Sequence, residues 1–191
     1  MTTSSSQALA TSQPFTFPPT YHFPPFFTPQ PNLQTRAAQL AKWSSLVQAY
    51  CQHHRHFKLL LSDALDSPLF YNAKLDRRLT IQDAREVLDY MASKEGDHRA
   101  EWIGSAGEKS TAQIWWRKPV EWATMLEAWV DSIGQKGSVL TLYELVEGEA
   151  TIHQEFHNMD LDVLKKSLDT LVKKGKAHVF GGDGREGVKF F

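Results

Sequence analysis

The feature that most restricts the fold of this sequence is a proline-rich N-terminal segment without charged side chains. Seven of the nine prolines and six aromatic residues precede Arg36, which is the first charged residue. Because proline fixes φ and biases the preceding residue towards extended structure, residues 14–31 are predicted not to be helical. We therefore expect an extended, polyproline-like arm over residues 14–32, preceded by a disordered Ser/Thr/Gln-rich tail over residues 1–13.

The aromatic residues of this arm indicate that it docks on a surface. A proline-rich N-terminus is commonly only a flexible spacer, but a spacer rarely carries so many aromatic side chains, and exposed apolar patches promote aggregation. We expect the arm to dock either on this chain's own surface or in a groove of a partner. The aromatic residues are Phe15, Phe17, Tyr21, Phe23, Phe26 and Phe27.

The rest of the chain contains one order of elements twice. Capped helices begin after Thr80 and Asp160, 80 residues apart, and each precedes two short strand-like segments, an order typical of winged-helix domains. The predicted fold is mainly α with small β-hairpins (α+β), with two tandem winged-helix domains over residues 33–118 and 119–191 after the extended arm. The predicted elements are a helix from about Thr35 to His54, a helix from Thr80 to near Gly96, strands at 101–103 and 111–116, a helix from Pro119, a short helix over 142–146, a helix from Asp160 to Gly175, and strands at 177–180 and 187–191 joined by a glycine-rich turn over 181–184.

The charge distribution argues against nucleic-acid binding. The formal net charge is −1, with +3 on residues 36–118 and −4 on residues 119–191. The helix after Thr80, which would enter the major groove, has a mostly acidic polar face that phosphates would repel. A winged-helix DNA-binding transcriptional regulator is the alternative function. A membrane-peripheral module is a second alternative, but the arm lacks the Lys and Arg that usually accompany insertion into lipid.

No catalytic site, cofactor site or metal site is predicted. The sequence contains no nucleophile-elbow, phosphate-loop or dinucleotide-binding motif. His153 and His157 are four residues apart, but no third ligand is evident, and the histidines at 53, 54 and 56 fit a helix C-terminus. Cys51 is predicted to be a core residue. One cysteine, no signal peptide and no long apolar run predict a cytoplasmic protein.

Several strings of residues resemble one known family closely. They occur in order from Phe23 to Phe191, so the resemblance covers nearly the whole globular part of the chain. The family is the vacuolar protein-sorting-associated protein 25 family, the small winged-helix subunit of the endosomal sorting complex ESCRT-II. The matching strings are FPPFFT-x-QPN (23–32), TR (35–36), SPLF-x-N (67–72), KL-x-R (74–77), WR-x-P-x-EW (116–122), LTLYEL (140–145), EFH (155–157) and GVKFF (187–191).

The resemblance implies a non-enzymatic, partner-binding subunit. In the family, two copies of this subunit bind two larger winged-helix subunits, through the arm and the first winged helix, in a Y-shaped complex. The second winged helix recruits the ESCRT-III subunit that initiates filament assembly, for sorting of ubiquitinated cargo into multivesicular bodies. Such a chain is cytoplasmic and reaches the endosome membrane indirectly, through its complex.

The resemblance also implies contact residues. The family's Pro-Pro-x-aromatic arm motif occurs twice here, and whether both copies are used is left open. In the family, an Arg after the Leu-Phe-x-Asn string pairs with an acidic residue of the larger subunit; here it is Arg77, for which an ordinary solvated charge is the alternative. Because the second half has a net negative charge, a basic helix is a natural partner for exposed acidic residues there. The expected contacts are Pro18, Pro19, Tyr21, Pro24, Pro25, Phe26, Phe27, Arg77, Glu147 and Glu149, whereas Glu144 is expected to belong to a capping box.

Overall fold

The computed structural model describes residues 13–105, 107–182 and 186–191. The chain divides into two compact units, the first ending at Trp116 and the second beginning at Arg117. Each unit combines helices with a small antiparallel sheet, which confirms the predicted fold class. Among the described residues, no helix has the length and apolar character needed to cross a membrane.

The described part of the first unit contains three α-helices, and the longest was predicted. Helix α1 spans Leu33–His54, α2 spans Leu61–Asp66 and α3 spans Ile81–Ala92. The N-cap of α3 is Thr80, whose hydroxyl accepts the backbone N–H of Asp83 at 3.1 Å. Apolar residues recur at steps of three and four along α1 and are buried; they are Leu40, Trp43, Val47 and Tyr50.

The sheet of the first unit has one strand more than the predicted hairpin. Its strands, in the order β1-β5-β4, are antiparallel, and β1 pairs with β5. A separate two-stranded hairpin, β2 with β3, precedes α3. The strands are β1 (Lys58–Leu60), β2 (Tyr71–Asn72), β3 (Arg77–Arg78), β4 (Ala100–Ile103) and β5 (Thr111–Ile114).

The second unit repeats this plan. Helix α4 contacts α6, and the sheet has the order β6-β8-β7. The predicted capping box is present at the start of α5, where the Thr141 N–H donates to the Glu144 carboxylate at 2.6 Å. Of the predicted glycine-rich turn, Asp183 and Gly184 lie outside the described residues. The elements are α4 (Pro119–Ser132), β6 (Val139–Thr141), α5 (Leu142–Val146), a 3-10 helix (Glu149–Thr151), α6 (Leu161–Lys173), β7 (Ala177–Phe180) and β8 (Gly187–Phe190).

The arm differs from its prediction as a continuously extended segment. It forms two single-turn 3-10 helices, Pro19–His22 and Pro24–Phe27, each with proline near its first position. Only the residues that flank these turns, such as Phe23 at φ −103° and ψ 114°, are extended. Proline's fixed φ suits a 3-10 turn as well as an extended chain, so the prolines alone do not choose between them.

Candidate partner-binding surfaces

The backbone of the arm is held by side chains of the first unit. The amide nitrogen of Gln39, on α1, donates to the carbonyls of Phe26 and Thr28, both at 2.9 Å. The indole N–H of Trp43 donates to the same Phe26 carbonyl at 3.1 Å, and Asn72 of β2 donates to the Tyr21 carbonyl at 2.9 Å. Leaving one such buried group without a partner costs about 1–3 kcal/mol, so detaching the arm would be costly.

The aromatic side chains of the arm continue this attachment. The Phe26 ring stacks on Trp43, with centroids 4.2 Å apart and planes 11° apart, and Phe27 meets the same indole edge-on at 5.3 Å. Phe17 stacks on Tyr21 at 4.0 Å. Tyr21, Phe26 and Phe27 are only 4%, 6% and 4% exposed. Three residues predicted to contact a partner are thus core residues of their own unit.

Tyr21 fixes the first of the two 3-10 helices. Its hydroxyl hydrogen-bonds to the carbonyl of Pro68 and lies 3.2 Å from the carbonyl of Tyr71. Burial raises the pKa of Tyr21 to about 12, with a smaller contribution from Tyr50. The phenol therefore stays neutral and able to donate over the whole physiological pH range.

Part of the arm faces solvent. Phe23, between the two 3-10 helices, is 61% exposed, which is the largest exposure of any aromatic side chain in the arm that the structure describes. Pro19, Pro24 and Pro25 are exposed as well, and Pro18 is half-buried. An apolar surface of one phenylalanine and adjacent prolines thus remains available to a partner, and Phe23 was not among the predicted contact residues.

Arg77 lies on a strand that the arm contacts. The second 3-10 helix of the arm contacts β3, which carries Arg77 and Arg78. Arg77 is in a β-hairpin, where it pairs with Asn72. It is exposed and makes no ion pair with any residue that the structure describes. Arg78, in contrast, pairs with Asp66 at 2.7 Å and lies over the Tyr71 ring at 4.7 Å.

The second unit carries an apolar groove of about 750 Å³ between its sheet, α5 and α6. Val139, Tyr143 and Leu161 line it and are more than half exposed, and Phe180 is 39% exposed. Gly187 makes room for Phe180, because a Cβ at this position would lie 3.0 Å from the Phe180 ring and 3.3 Å from Val139. The sequence analysis did not predict this groove, because the groove depends on a strand pairing that brings residues 180 and 187 together.

Charged residues border the groove. Glu147 lines it, and Glu149 is exposed two residues further on. Lys165 of α6 pairs with Glu186 at 2.8 Å, and this contact raises the pKa of Lys165. Glu144 is engaged with Thr141, as expected, and hydrogen bonds from the Thr141 backbone and hydroxyl lower its pKa. Of the two predicted acidic contacts, Glu147 is therefore part of the groove wall, and Glu149 lies two residues beyond it in the sequence.

The helices that would read DNA use their charges within the fold. On α3, Asp89 accepts from Lys109 at 2.6 Å and from the Trp102 indole at 2.7 Å, and Arg85 donates to the Lys109 carbonyl at 3.2 Å. On α6, Lys165 is likewise paired, with Glu186 at 2.8 Å, so these charges are not available to phosphates.

The histidines do not form a metal site in the described part of the chain. His153 and His157 lie in turns, so their spacing does not place them on one helical face, and Thr151 hydrogen-bonds His157 at 2.9 Å. His53 and His54, in the last turn of α1, lie against Phe15, with ring centroids at 5.4 Å and 6.2 Å. No group of three or more potential ligands is arranged for a metal ion within the described ranges.

Comparisons with known proteins agree with the fold. The family model described as ESCRT-II complex subunit matches residues 20–160. Vacuolar protein-sorting-associated protein 25 of Homo sapiens is 42% identical over 177 residues, covering 93% of this chain and 98% of its own length. The crystal structure of subunit VPS25 of the endosomal trafficking complex ESCRT-II has a TM-score of 0.80 at 28% identity, over 91% of this chain and 98% of that one. The crystal structure of endosomal complex ESCRT-II (VPS22/VPS25/VPS36) matches with a TM-score of 0.78 at 26% identity, with the same coverage. This chain therefore belongs to the family of ESCRT-II complex subunits, in which the vacuolar protein-sorting-associated proteins 25 are its relatives.

Proposed function

We propose that this chain is the small, non-enzymatic subunit that links the larger subunits of ESCRT-II to ESCRT-III. In this proposal each unit is a winged helix, and the boundary between the two lies near residue 118. The arm and the first winged helix bind the larger winged-helix subunits, with two copies of this chain per complex. The second winged helix recruits the initiating ESCRT-III subunit for multivesicular body sorting of ubiquitinated cargo. The chain is cytoplasmic and reaches the endosome membrane through its partners.

The observation that carries this proposal is the exposed apolar surface of the arm, whose second 3-10 helix contacts the strand that carries Arg77. An apolar patch around Phe23, Pro24 and Pro25 suits an apolar pocket, and Arg77, without an ion pair among the described residues, suits an acidic residue beside that pocket. Charge-assisted contacts of this kind fix orientation, while aromatic and apolar anchors supply most of the affinity. The solved complex of VPS22, VPS25 and VPS36 supports larger subunits as the partners.

The groove supports the assignment of ESCRT-III binding to the second unit. Its open apolar floor has the character of grooves that bind the apolar face of an amphipathic helix. The acidic side chain of Glu147 and the net charge of −4 on residues 119–191 favour a helix whose polar flank is basic. The two units therefore differ in the kind of partner that suits them.

The test of the proposed assembly compares two neighbouring arginines in the full chain. Arg77→Glu is expected to abolish co-purification with the larger ESCRT-II subunits, because the new carboxylate would face the acidic residue of the larger subunit with which Arg77 is proposed to pair. Arg78→Glu loses a surface pair with Asp66 and is expected to leave assembly intact. Assembly that survives Arg77→Glu but is lost in Arg78→Glu would contradict the assignment. Specific binding of the full chain to duplex DNA at physiological salt would contradict the proposed function itself.

A further inference from the structure

We infer that Phe23, rather than the aromatic residues of the two Pro-Pro motifs, enters the apolar pocket of the larger subunit. The two 3-10 helices serve as a rigid mount that presents this ring. The inference rests on the proposed binding of the arm to a larger winged-helix subunit and names its anchor. The partner's site is an apolar pocket of a size suited to one phenyl ring, with a carboxylate near its edge.

The first argument is that the motif aromatics are already used. Phe26 stacks on the Trp43 indole and Phe27 meets it edge-on, and Tyr21 is hydrogen-bonded into the β2 hairpin. Withdrawing them for a partner would expose Trp43 and leave the donors of Gln39 and Asn72 without their carbonyls. A partner pocket would have to replace all of these contacts before any affinity could result.

The second argument is the fixed backbone of Phe23. Its N–H donates to the carbonyl of Thr20 at 3.1 Å, and its own carbonyl accepts the N–H of Phe26 at 2.9 Å. Pro24 follows it directly and restricts its conformation further. The exposed ring is therefore displayed from a backbone that has lost its freedom on folding, so binding orders little besides two side-chain torsions.

The third argument is the immediate surroundings of Phe23. The exposed rings of Pro24 and Pro25 extend the apolar surface in one direction, and their 3-10 helix contacts the strand that carries Arg77. A central aromatic side chain with adjacent apolar rings, beside a strand that carries a cation, is an arrangement in which binding energy concentrates on the central residue.

The experiment measures the affinity of the full chain for the purified larger subunits. Phe23→Ala is expected to weaken binding at least about 30-fold, the effect of a hot-spot residue, with an unchanged midpoint of thermal unfolding. The control is Ile103→Ala, which removes a partly exposed apolar side chain from β4 of the same unit and is expected to leave the affinity unchanged. Phe27→Ala is expected to lower the unfolding midpoint, as befits a core residue.

A second measurement tests whether position 23 or position 27 contacts the larger subunit. Benzoylphenylalanine incorporated at position 23 is expected to crosslink to a larger subunit in the assembled complex, and the same group at position 27 is expected not to. A higher yield from position 27 would show that the arm leaves α1 on binding and would overturn the inference.

The outcomes distinguish the inference from the function on which it rests. If Arg77→Glu abolishes binding and Phe23→Ala leaves it unchanged, the anchor is wrong and the proposed assembly stands. If neither variant lowers the affinity, both the anchor and the assembly surface are wrong.

Discussion

The two units share one sheet plan but differ in what covers their apolar surface. In both, the central strand pairs with an early strand on one side and a hairpin partner on the other. The helix after the early strand also begins with an equivalent hydrogen bond in both units. The Leu61 N–H donates to the Ser110 carbonyl at 2.8 Å, and the Leu142 N–H donates to the Glu186 carbonyl at 3.1 Å. The first unit covers apolar residues of α1 with its own arm, whereas the second leaves a groove open.

One pair of equivalent positions shows how the second unit differs at its groove. Thr111 and Gly187 are the first residues of β5 and β8, and they pair with Ile103 and Phe180. Because Gly187 has no Cβ, Phe180 can lie across the sheet beside Val139. A Cβ at position 187 would lie only 3.0 Å from the Phe180 ring. A repeated frame thus acquires a different surface through the residues placed on it, so one order of elements need not bind one class of partner.

The largest expected contrast is between one phenylalanine of each unit. Phe27→Ala is expected to cost about 3–5 kcal/mol in free energy of unfolding, because it empties a buried site against Trp43. Phe180→Ala is expected to cost about 1–2 kcal/mol, since this residue is already 39% exposed to water. Chemical denaturation of both variants measures this difference, and losses of equal size would mean that the arm is not part of the first unit's core.

A polar contact of the arm gives the next largest effect. Gln39→Ala is expected to cost about 1–3 kcal/mol in free energy of unfolding, because the Thr28 carbonyl loses its side-chain donor and the Phe26 carbonyl keeps only the Trp43 indole. Gln34→Ala, an exposed position of the same helix, is the matched control and is expected to change little. Faster hydrogen exchange of the arm in the first variant alone would localise the effect; identical behaviour of the two variants would contradict it.

Alkaline pH is expected to weaken the first unit selectively. Because burial raises the pKa of Tyr21 from 10.0 to about 12, the unfolded chain loses this proton before the folded chain does. The contribution of Tyr21 to stability is complete below pH 10 and is lost as the pH rises towards 12. The loss amounts to about 1 kcal/mol at pH 11. The stability of Tyr21→Phe should therefore fall less steeply over this interval; a parallel fall would assign the loss to other groups.

The smallest expected effect concerns the acidic rim of the groove. Glu147→Lys and Glu149→Lys are each expected to weaken binding of the initiating ESCRT-III subunit by up to about fivefold at low salt, since exposed charge pairs contribute about 0.2–1 kcal/mol. The difference should shrink at high salt. Glu95→Lys, an exposed site in the first unit, is the control with the same change of charge. Equal weakening by all three variants would point to net charge rather than to the groove.

The parts of the fold that the sequence predicted are those specified locally. The caps at Thr80, Thr141 and Asp160 lie within three residues of the backbone groups that they bind, so a short window of sequence reveals them. In contrast, β1 has three residues and exists because it pairs with β5, more than 50 positions later. Such short elements carry too little periodicity to predict.

The candidate surfaces were predictable only in part for the same physical reason. Aromatic residues near paired prolines indicated a docking arm, and that segment does dock. Which rings face inwards depends on Gln39, Trp43 and Asn72, whose distances along the chain give no local signal. Arg77 was named through the resemblance, and its sequence context alone could not separate it from Arg78.

The long sequence separation between the arm and its docking site has a consequence for biosynthesis. Asn72, which holds the Tyr21 carbonyl, lies 51 residues further along the chain, and β3 follows it. While the ribosome is still synthesising α1, only part of the arm's docking site exists, because the hairpin of β2 and β3 has not yet been made. The arm is thus synthesised before part of its own docking site, and it can dock fully only once residue 78 has been added.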